Sequence, residues 1–452
     1  MTFDRSQIPQ SGQPRAFNFP KFERFTLANG LRVLHAPHRK LPLVTFQLIT
    51  KNGGFTDPEN QTGITAITAK MLMEGTKTHS VMEFSSALEF LAINMNTSSN
   101  WDASYFSVNS LKKHLSRAIG LFGEALFTPA FERDELDRQI KQHLNSRIGI
   151  KDDPAGLAAE ALGTYLYPKT RYARPLYGFS PDIKKWSTSQ LTHLHTRNYR
   201  PENSALVIVG DLDSSEIDTY FGPLLAQWEN SLREDAPLPT VLENRQSTIV
   251  LINKPGAMQA QIRLGHPGIN RTAPDYFDAL LMNEILGGYF MSRLNMNLRE
   301  DKGYTYGISS RFNLRKTAVP FIISAAVDAE KVSMAINEIL MEMHKMQNEK
   351  VAEKELNDAR GYLSGIFPVA FESGPQIAGG LSNIELYDLE DNYYRNLRNK
   401  LDLVNRRSII DAAQKHLYPD SSVIIVVADR KVVESELRKK FANLQVVEIP
   451  EG

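Results

Sequence analysis

The chain of 452 residues contains no cysteine, so disulfide scaffolds, thiolate zinc sites, iron–sulfur clusters and cysteine nucleophiles are all excluded. Any metal would have to be held by His, Asp or Glu. Net charge is also missing, because 52 basic residues balance 52 acidic ones. Without a cationic excess there is no sequence-independent attraction to a phosphate backbone, which argues against a nucleic-acid partner. Long apolar runs are absent too. The longest, around residues 205–209 and 423–427, are strand-sized, far short of the roughly 20 residues that span a bilayer, so no membrane partner is expected. The first 20 residues lack the charged start and apolar core of a secretory signal. They read as a flexible N-terminal arm on a cytoplasmic protein, although a processed periplasmic chain would look the same.

What is present fits a folded protein of more than one domain: 42% of residues are hydrophobic and 23% charged, over a length at which single cores usually divide. A polar, proline-containing stretch at residues 228–247 has neither helical nor strand period and reads as a linker. It separates a domain over 21–227 from one over 248–452, and the two repeat the same order of elements. In the first, a strand at 44–50, a loop and an apolar helix at 64–73 are followed by a strand at 105–108 and helices at 114–126 and 133–148. In the second, a strand at 259–265, a loop and a helix at 276–286 are followed by a strand at 321–327 and helices at 330–346 and 352–363. Each half closes on an apolar strand, 205–209 and 423–427. The pattern predicts an α+β protein made of two copies of one domain.

Three segments carry a family resemblance: NGLRVLHAPHRKLPLVTFQLITKNGGFTDPENQTG from Asn29, YRPENSALVIVGDLD from Tyr199 and NEILGGYFMSRLNMNLREDKGYTYG from Asn283. Together they resemble the pitrilysin and insulinase superfamily of zinc peptidases, and most closely its short members, the mitochondrial processing peptidase subunits and bacterial two-subunit peptidases. The resemblance runs in order from about Phe22 to Ile449. It implies two homologous α+β domains, each a mostly antiparallel sheet packed with helices.

Active members of that family carry H-x-x-E-H on the first helix after a Thr-Gly pair. Two imidazoles one turn apart bind zinc, and the glutamate activates water. Here Thr62-Gly63 is followed by Ala66, Ala69 and Lys70 at those three positions. The family's third ligand, a glutamate on a later helix, aligns with Ser146, and a second acid with Gln139. Alanine has no donor atom and an ammonium repels a dication. The implied cofactor count for this chain is therefore none, with zinc expected in a partner subunit that bears an intact H-x-x-E-H. Lys70 has two readings, an ammonium in the metal's place or a side chain that reaches solvent. The histidine pairs His35/His38 and His193/His195 have no acidic third ligand nearby in sequence and read as solvated loop residues.

The second half does keep a family signature. The run from Arg299 to Tyr306 reproduces R-E-x-x-G-x-x-Y, whose arginine and tyrosine hold substrate backbone beside zinc in family members. A guanidinium and a phenol suit that task as preorganised donors. Arg299 followed by Gly303 also reads as an ordinary helix stop, and a tyrosine at a strand start as packing. In the same family the region 93–101 forms an edge strand to which substrate adds by backbone pairing, and here it reads equally as a purely structural strand. The resemblance thus implies a non-catalytic subunit of a heterodimeric zinc endopeptidase that binds peptide substrate through Arg299 and Tyr306. The alternative is a degenerate peptidase kept as a scaffold. A homodimer in the absence of the partner is compatible with both.

Overall fold

The computed structural model describes residues 17–229 and 243–449. In the first half six strands form one sheet: β1 (Glu23–Thr26), β2 (Arg32–Pro37), β3 (Leu43–Thr50), β4 (Asn94–Ser99), β5 (Ser104–Leu111) and β6 (Ser204–Gly210), in the order β1-β2-β6-β3-β5-β4. The second half builds another from β7 (Thr248–Asn253), β8 (Gln259–Pro267), β9 (Thr305–Phe312), β10 (Pro320–Asp328), β11 (Val423–Ala428) and β12 (Leu444–Glu448), in the order β12-β7-β11-β8-β10-β9. The orders superimpose except at one edge. There β1 pairs antiparallel with β2, whereas β12, from the opposite end of the chain, pairs parallel with β7. Both sheets are mixed, because β6 and β11 return through helical crossovers to lie parallel to β2 and β7. All other pairings described are antiparallel.

β6 and β11 are apolar along their whole length because each is covered on both faces. One face meets helices of its own half. The other meets a helix supplied by the opposite half. The helix Pro154–Leu166, capped by Asp153, sets Leu157, Leu162 and Leu166 against Val250, Ile252, Val423, Ile425 and Val427 of the second sheet. In return the helix Gly374–Leu386 sets Ile377, Ala378, Leu381 and Ile384 in one cluster with Ile49, Ala205, Val207 and Val209 of the first. Gly374 lies so close that an added Cβ would stand 2.7 Å from Thr45 Oγ1.

The hairpin tips β4–β5 and β9–β10 also meet. Asp102 accepts from the Lys316 amide at 3.0 Å and from Tyr387 Oη at 3.1 Å, and the Arg315 guanidinium lies 5.1 Å from the Trp101 ring and 4.6 Å from that of Tyr172. Asp102→Ala should cost about 2 kcal/mol in denaturant unfolding, since it removes two hydrogen bonds to a carboxylate. An unchanged midpoint would show that the tips meet without it.

Two sequence expectations need correction. The N-terminal arm does not stay loose up to residue 20, because Phe19 is 1% exposed and packs on Phe371 and Tyr394, each ring 5.0 Å away. Burying one such ring contributes about 1.5–3 kcal/mol, enough to hold residues 17–20 against the second half. Residues 1–16 of that arm lie outside the described residues. At the start of the proposed linker, Trp228 belongs to the first half's core and donates from Nε1 to the Tyr199 carbonyl at 3.2 Å. At its end, the Asn244 amide donates to the Leu166 carbonyl at 2.8 Å. Residues 230–242 lie outside the described residues.

Candidate functional site

The helix Ile64–Met71 stands where the resemblance implies a zinc helix, and its start is tightly built. Gly63 has φ +82°, and its amide and that of Thr65 donate to Asp57 at 2.7 and 3.1 Å. Asp57 in turn is held by Arg171 at 3.0 Å, both side chains being buried. A Cβ on Gly63 would lie 2.6 Å from the Tyr177 backbone, so the turn needs glycine for φ and for space. The scaffold is therefore intact, and its chemistry can be judged residue by residue.

Ala66 and Ala69 are buried and offer no donor, and Lys70 is exposed. The exposure of Lys70 favours the reading in which its ammonium reaches solvent. On the helix Arg133–Asp152, Gln139 is buried and donates its amide to Glu74 Oε1 at 2.6 Å. Ser146 is exposed and its hydroxyl is spent on the Gln142 carbonyl of its own helix at 3.0 Å. Between them His143 packs edge-on against Trp186 at 5.4 Å, and burial, with the charge of Lys70 behind it, holds its imidazole below the usual pKa. These side chains do not fit zinc. Among the described residues no group of three His, Asp or Glu could hold a metal ion.

Of the two histidine pairs only His38 lies in a loop, and it is half-buried. His35 is fully buried because β2 is an interior strand, and burial lowers its pKa. His195 bonds the Leu126 carbonyl through Nε2 at 2.9 Å and stacks on Tyr199, and burial lowers its pKa as well. Only His193 of that second pair is exposed.

In the second half the helix Tyr276–Asn283 widens into a π-helical turn over Glu284–Gly288, and a second π-helical segment, Asn295–Asp301, carries Arg299. Arg299 sits 4.3 Å from the ring of exposed Phe290, and its Nε is 3.6 Å from Glu300. Gly303 at φ +64° ends the segment, and the Tyr304 amide donates to the Leu298 carbonyl at 2.8 Å, leading the chain into β9. A β-bulge sits at the start of β9. Thr305 faces Val327 and Ile308 faces Ala325, leaving Tyr306 and Gly307 opposite Ala326 alone. Thr305 Oγ1 locks the bulge by donating to the Ala326 carbonyl at 2.6 Å. The extra residue turns Tyr306 off the sheet, and it is 89% exposed. No hydrogen bond or ring contact joins Arg299 to Tyr306 among the described residues, though they share one edge of the domain.

β4 is likewise an edge strand, with Asn94, Asn96 and Ser98 exposed. One buried group escaped the sequence reading. Glu284 is 8% exposed, its Oε2 has no partner, and its carboxylate lies where a Cβ on Gly288 would come within 2.6 Å. Burial alone pushes it up to about 7. Its only signal in the sequence is a lone acid in the mainly apolar run Ala279–Leu286, ALLMNEIL.

Residues 32–180 match the model for insulinase, peptidase family M16, and residues 185–363 match that for the peptidase M16 inactive domain. The chain belongs to the M16 (insulinase) peptidase family. Among curated relatives, the non-peptidase homolog YmxG of Helicobacter pylori is 22% identical over 402 residues, covering 88% of this chain and 92% of that one. The uncharacterized zinc protease YmxG of Bacillus subtilis is 20% identical over 355 residues, covering 78% and 85%. Of solved structures, a peptidase M16 inactive domain from Pseudomonas fluorescens superimposes with a TM-score of 0.85 at 28% identity, over 90% of this chain and 98% of that one. A protease from Helicobacter pylori does so at 0.82 and 18%, over 90% and 99%.

Proposed function

We propose that this chain is the non-catalytic subunit of a heterodimeric zinc endopeptidase, acting on extended peptides beside a partner that carries H-x-x-E-H. The observation that carries this reading is an asymmetry within one well-built fold. The positions Ala66, Ala69, Lys70 and Ser146 hold no ligand, while Arg299 and the outward Tyr306 are both retained. A tyrosine kept for packing would be buried. The curated name of the Helicobacter relative, a non-peptidase homolog, is consistent with it. Arg299 and Tyr306 would donate hydrogen bonds to substrate backbone and to the oxyanion formed at the partner's zinc, and the edge strand β4 offers backbone pairing to an extended chain. A cysteine-free chain would serve equally in the cytoplasm or in a periplasm.

The test is reconstitution. The purified chain alone should hold no stoichiometric zinc and cleave no peptide, and adding an H-x-x-E-H homologue should give hydrolysis. Arg299→Ala in this chain should then lower kcat/KM about a hundredfold, in line with loss of one oxyanion donor, and Tyr306→Phe about tenfold. Zinc retained by the chain alone would sink the account of the metal site. A second reading, a scaffold subunit, is favoured by Arg299 already facing Phe290 and Glu300. Hydrolysis indifferent to both substitutions would decide for it.

A further inference from the structure

The second sheet has an open, cationic face that the first lacks. Along β8, Ile262 and Leu264 point into the core, so Gln261, Arg263 and Gly265 line the opposite face. The registers carry that face across β10 and β9: Arg263 lies beside Ser324 and then Ser309, and Gly265 beside Ile322 and then Arg311. The helix Pro154–Leu166 covers this face only as far as β8, where Leu162 is 3.0 Å from a Cβ built on Gly265. Beyond it Ile322, Ser324 and Ala326 are half-buried, and Ser309 and Arg311 are exposed.

Two arginines therefore share a floor two strands wide, roughly 10 Å across. Neither has a carboxylate partner among the described residues. Arg263 donates to Gln261 Oε1 at 3.3 Å and to the Ile262 carbonyl at 2.9 Å. The acid whose charge acts on it, Asp153, makes no ion pair with it and caps its own helix by accepting from the Ala155 amide at 2.9 Å. Burial, and next the charge of Arg311, hold the Arg263 guanidinium below its usual pKa. Two cations that repel each other, with Asp153 acting on Arg263 only at a distance and no ion pair to either, are stabilised by an incoming anion. At the corresponding places the first sheet carries Gln47 and Ser98, both neutral. Gln47 is already satisfied, by Ser107 Oγ and Ser382 Oγ at 2.5 Å each.

We propose that the uncovered face of β8, β10 and β9 binds a carboxylate of the peptide, clamped between Arg263 and Arg311 with the Ser309 and Ser324 hydroxyls beneath it. A guanidinium fork matches a carboxylate in plane and charge. The carboxylate is a chain terminus or an acidic side chain, and the proposal rests on the reading that this chain handles peptides.

The experiment measures fluorescence anisotropy of decapeptides, labelled with an uncharged dye, on the full chain. One peptide has a free C-terminus, one is amidated and neutral, and one is amidated with two glutamates. At least one carboxylate peptide should bind about tenfold more tightly than the neutral one, the effect of a charged hydrogen-bond pair, and the arm that does so identifies the source. Arg311→Ser, which places the residue of Ser98 on an exposed edge, should abolish that preference, as should Arg263→Gln. Equal affinity for all three peptides, or a preference unchanged by Arg311→Ser in a chain with wild-type melting, overturns the site while leaving the peptide-handling role standing. Absence of binding by every peptide, alone and with the zinc-bearing partner, overturns both.

Discussion

Replacing Glu385 by alanine is expected to destabilise the protein by about 3–5 kcal/mol, the usual cost of breaking a buried ion pair. Glu385 ends the helix that the second half lays on the first sheet, and its side chain is 1% exposed. Three cations of the first half converge on it: Lys51 at 2.8 Å, Arg32 at 3.0 Å and Arg24 at 3.3 Å. Arg24 and Arg32 are about one-third exposed and can turn to water, and Arg24 also holds Asp391 at 2.8 Å. Lys51 has no such outlet. Its side chain is 14% exposed, and burial already holds its pKa below the usual lysine value. Without the carboxylate, Lys51 must give up its proton or disrupt the seam between the halves. Urea unfolding monitored by circular dichroism reads the loss, with Arg24→Ala as a milder control. A loss under about 1 kcal/mol for Glu385→Ala would show that water replaces the carboxylate at this seam.

The second large effect concerns pH. Glu284 binds its proton more tightly folded than unfolded, because burial lifts it from an ordinary 4.5 to about 7. Below the unfolded value both states are protonated and the group is silent. As pH rises from there through 7, only the unfolded state gains by ionising, so the folded state loses stability, and the loss levels off above 7. A shift of this size corresponds to about 3 kcal/mol. Glu284→Gln should remove it, so that the variant is more stable than the parent at pH 8 and near parity at pH 4.5. Other carboxylates titrate in the same range, but they cancel when the two proteins are compared at each pH. Parallel stability curves for the two proteins would show that Glu284 already ionises freely in the fold.

The features legible in the sequence are those written in local pattern. The zinc helix could be placed because Thr62-Gly63 anchors it and the apolar period begins at Ile64, so the identities at 66, 69 and 70 could be read directly. The capping box at Ser80 and Glu83 is likewise a local signal, and the structure forms it. What escaped is set by distant contacts. The run LAAEALGTYL at Leu157–Leu166 declares an apolar helix face but not that its partner is the sheet of the other half. Phe17 and Phe19 stand among prolines and polar residues, and only the rings of Phe367, Phe371 and Tyr394, hundreds of residues away, make them core. The bulge that turns Tyr306 outward depends on its register with β10. Arg263 and Arg311 are unremarkable in the sequence until the sheet sets them on one face.

The exchanged helices bear on what could be dispensed with. An N-terminal half whose helix Ile64–Met71 carries no metal-ligand side chain looks superfluous, yet its helix Pro154–Leu166 is the roof over β7, β11 and β8 of the half that holds Arg299 and Tyr306. Deleting that half would uncover Val250, Ile252, Val423, Ile425 and Val427 to water, an aggregation-prone apolar sheet. The framework around Ala66, Ala69 and Lys70 therefore does structural duty for the other half whatever those side chains do.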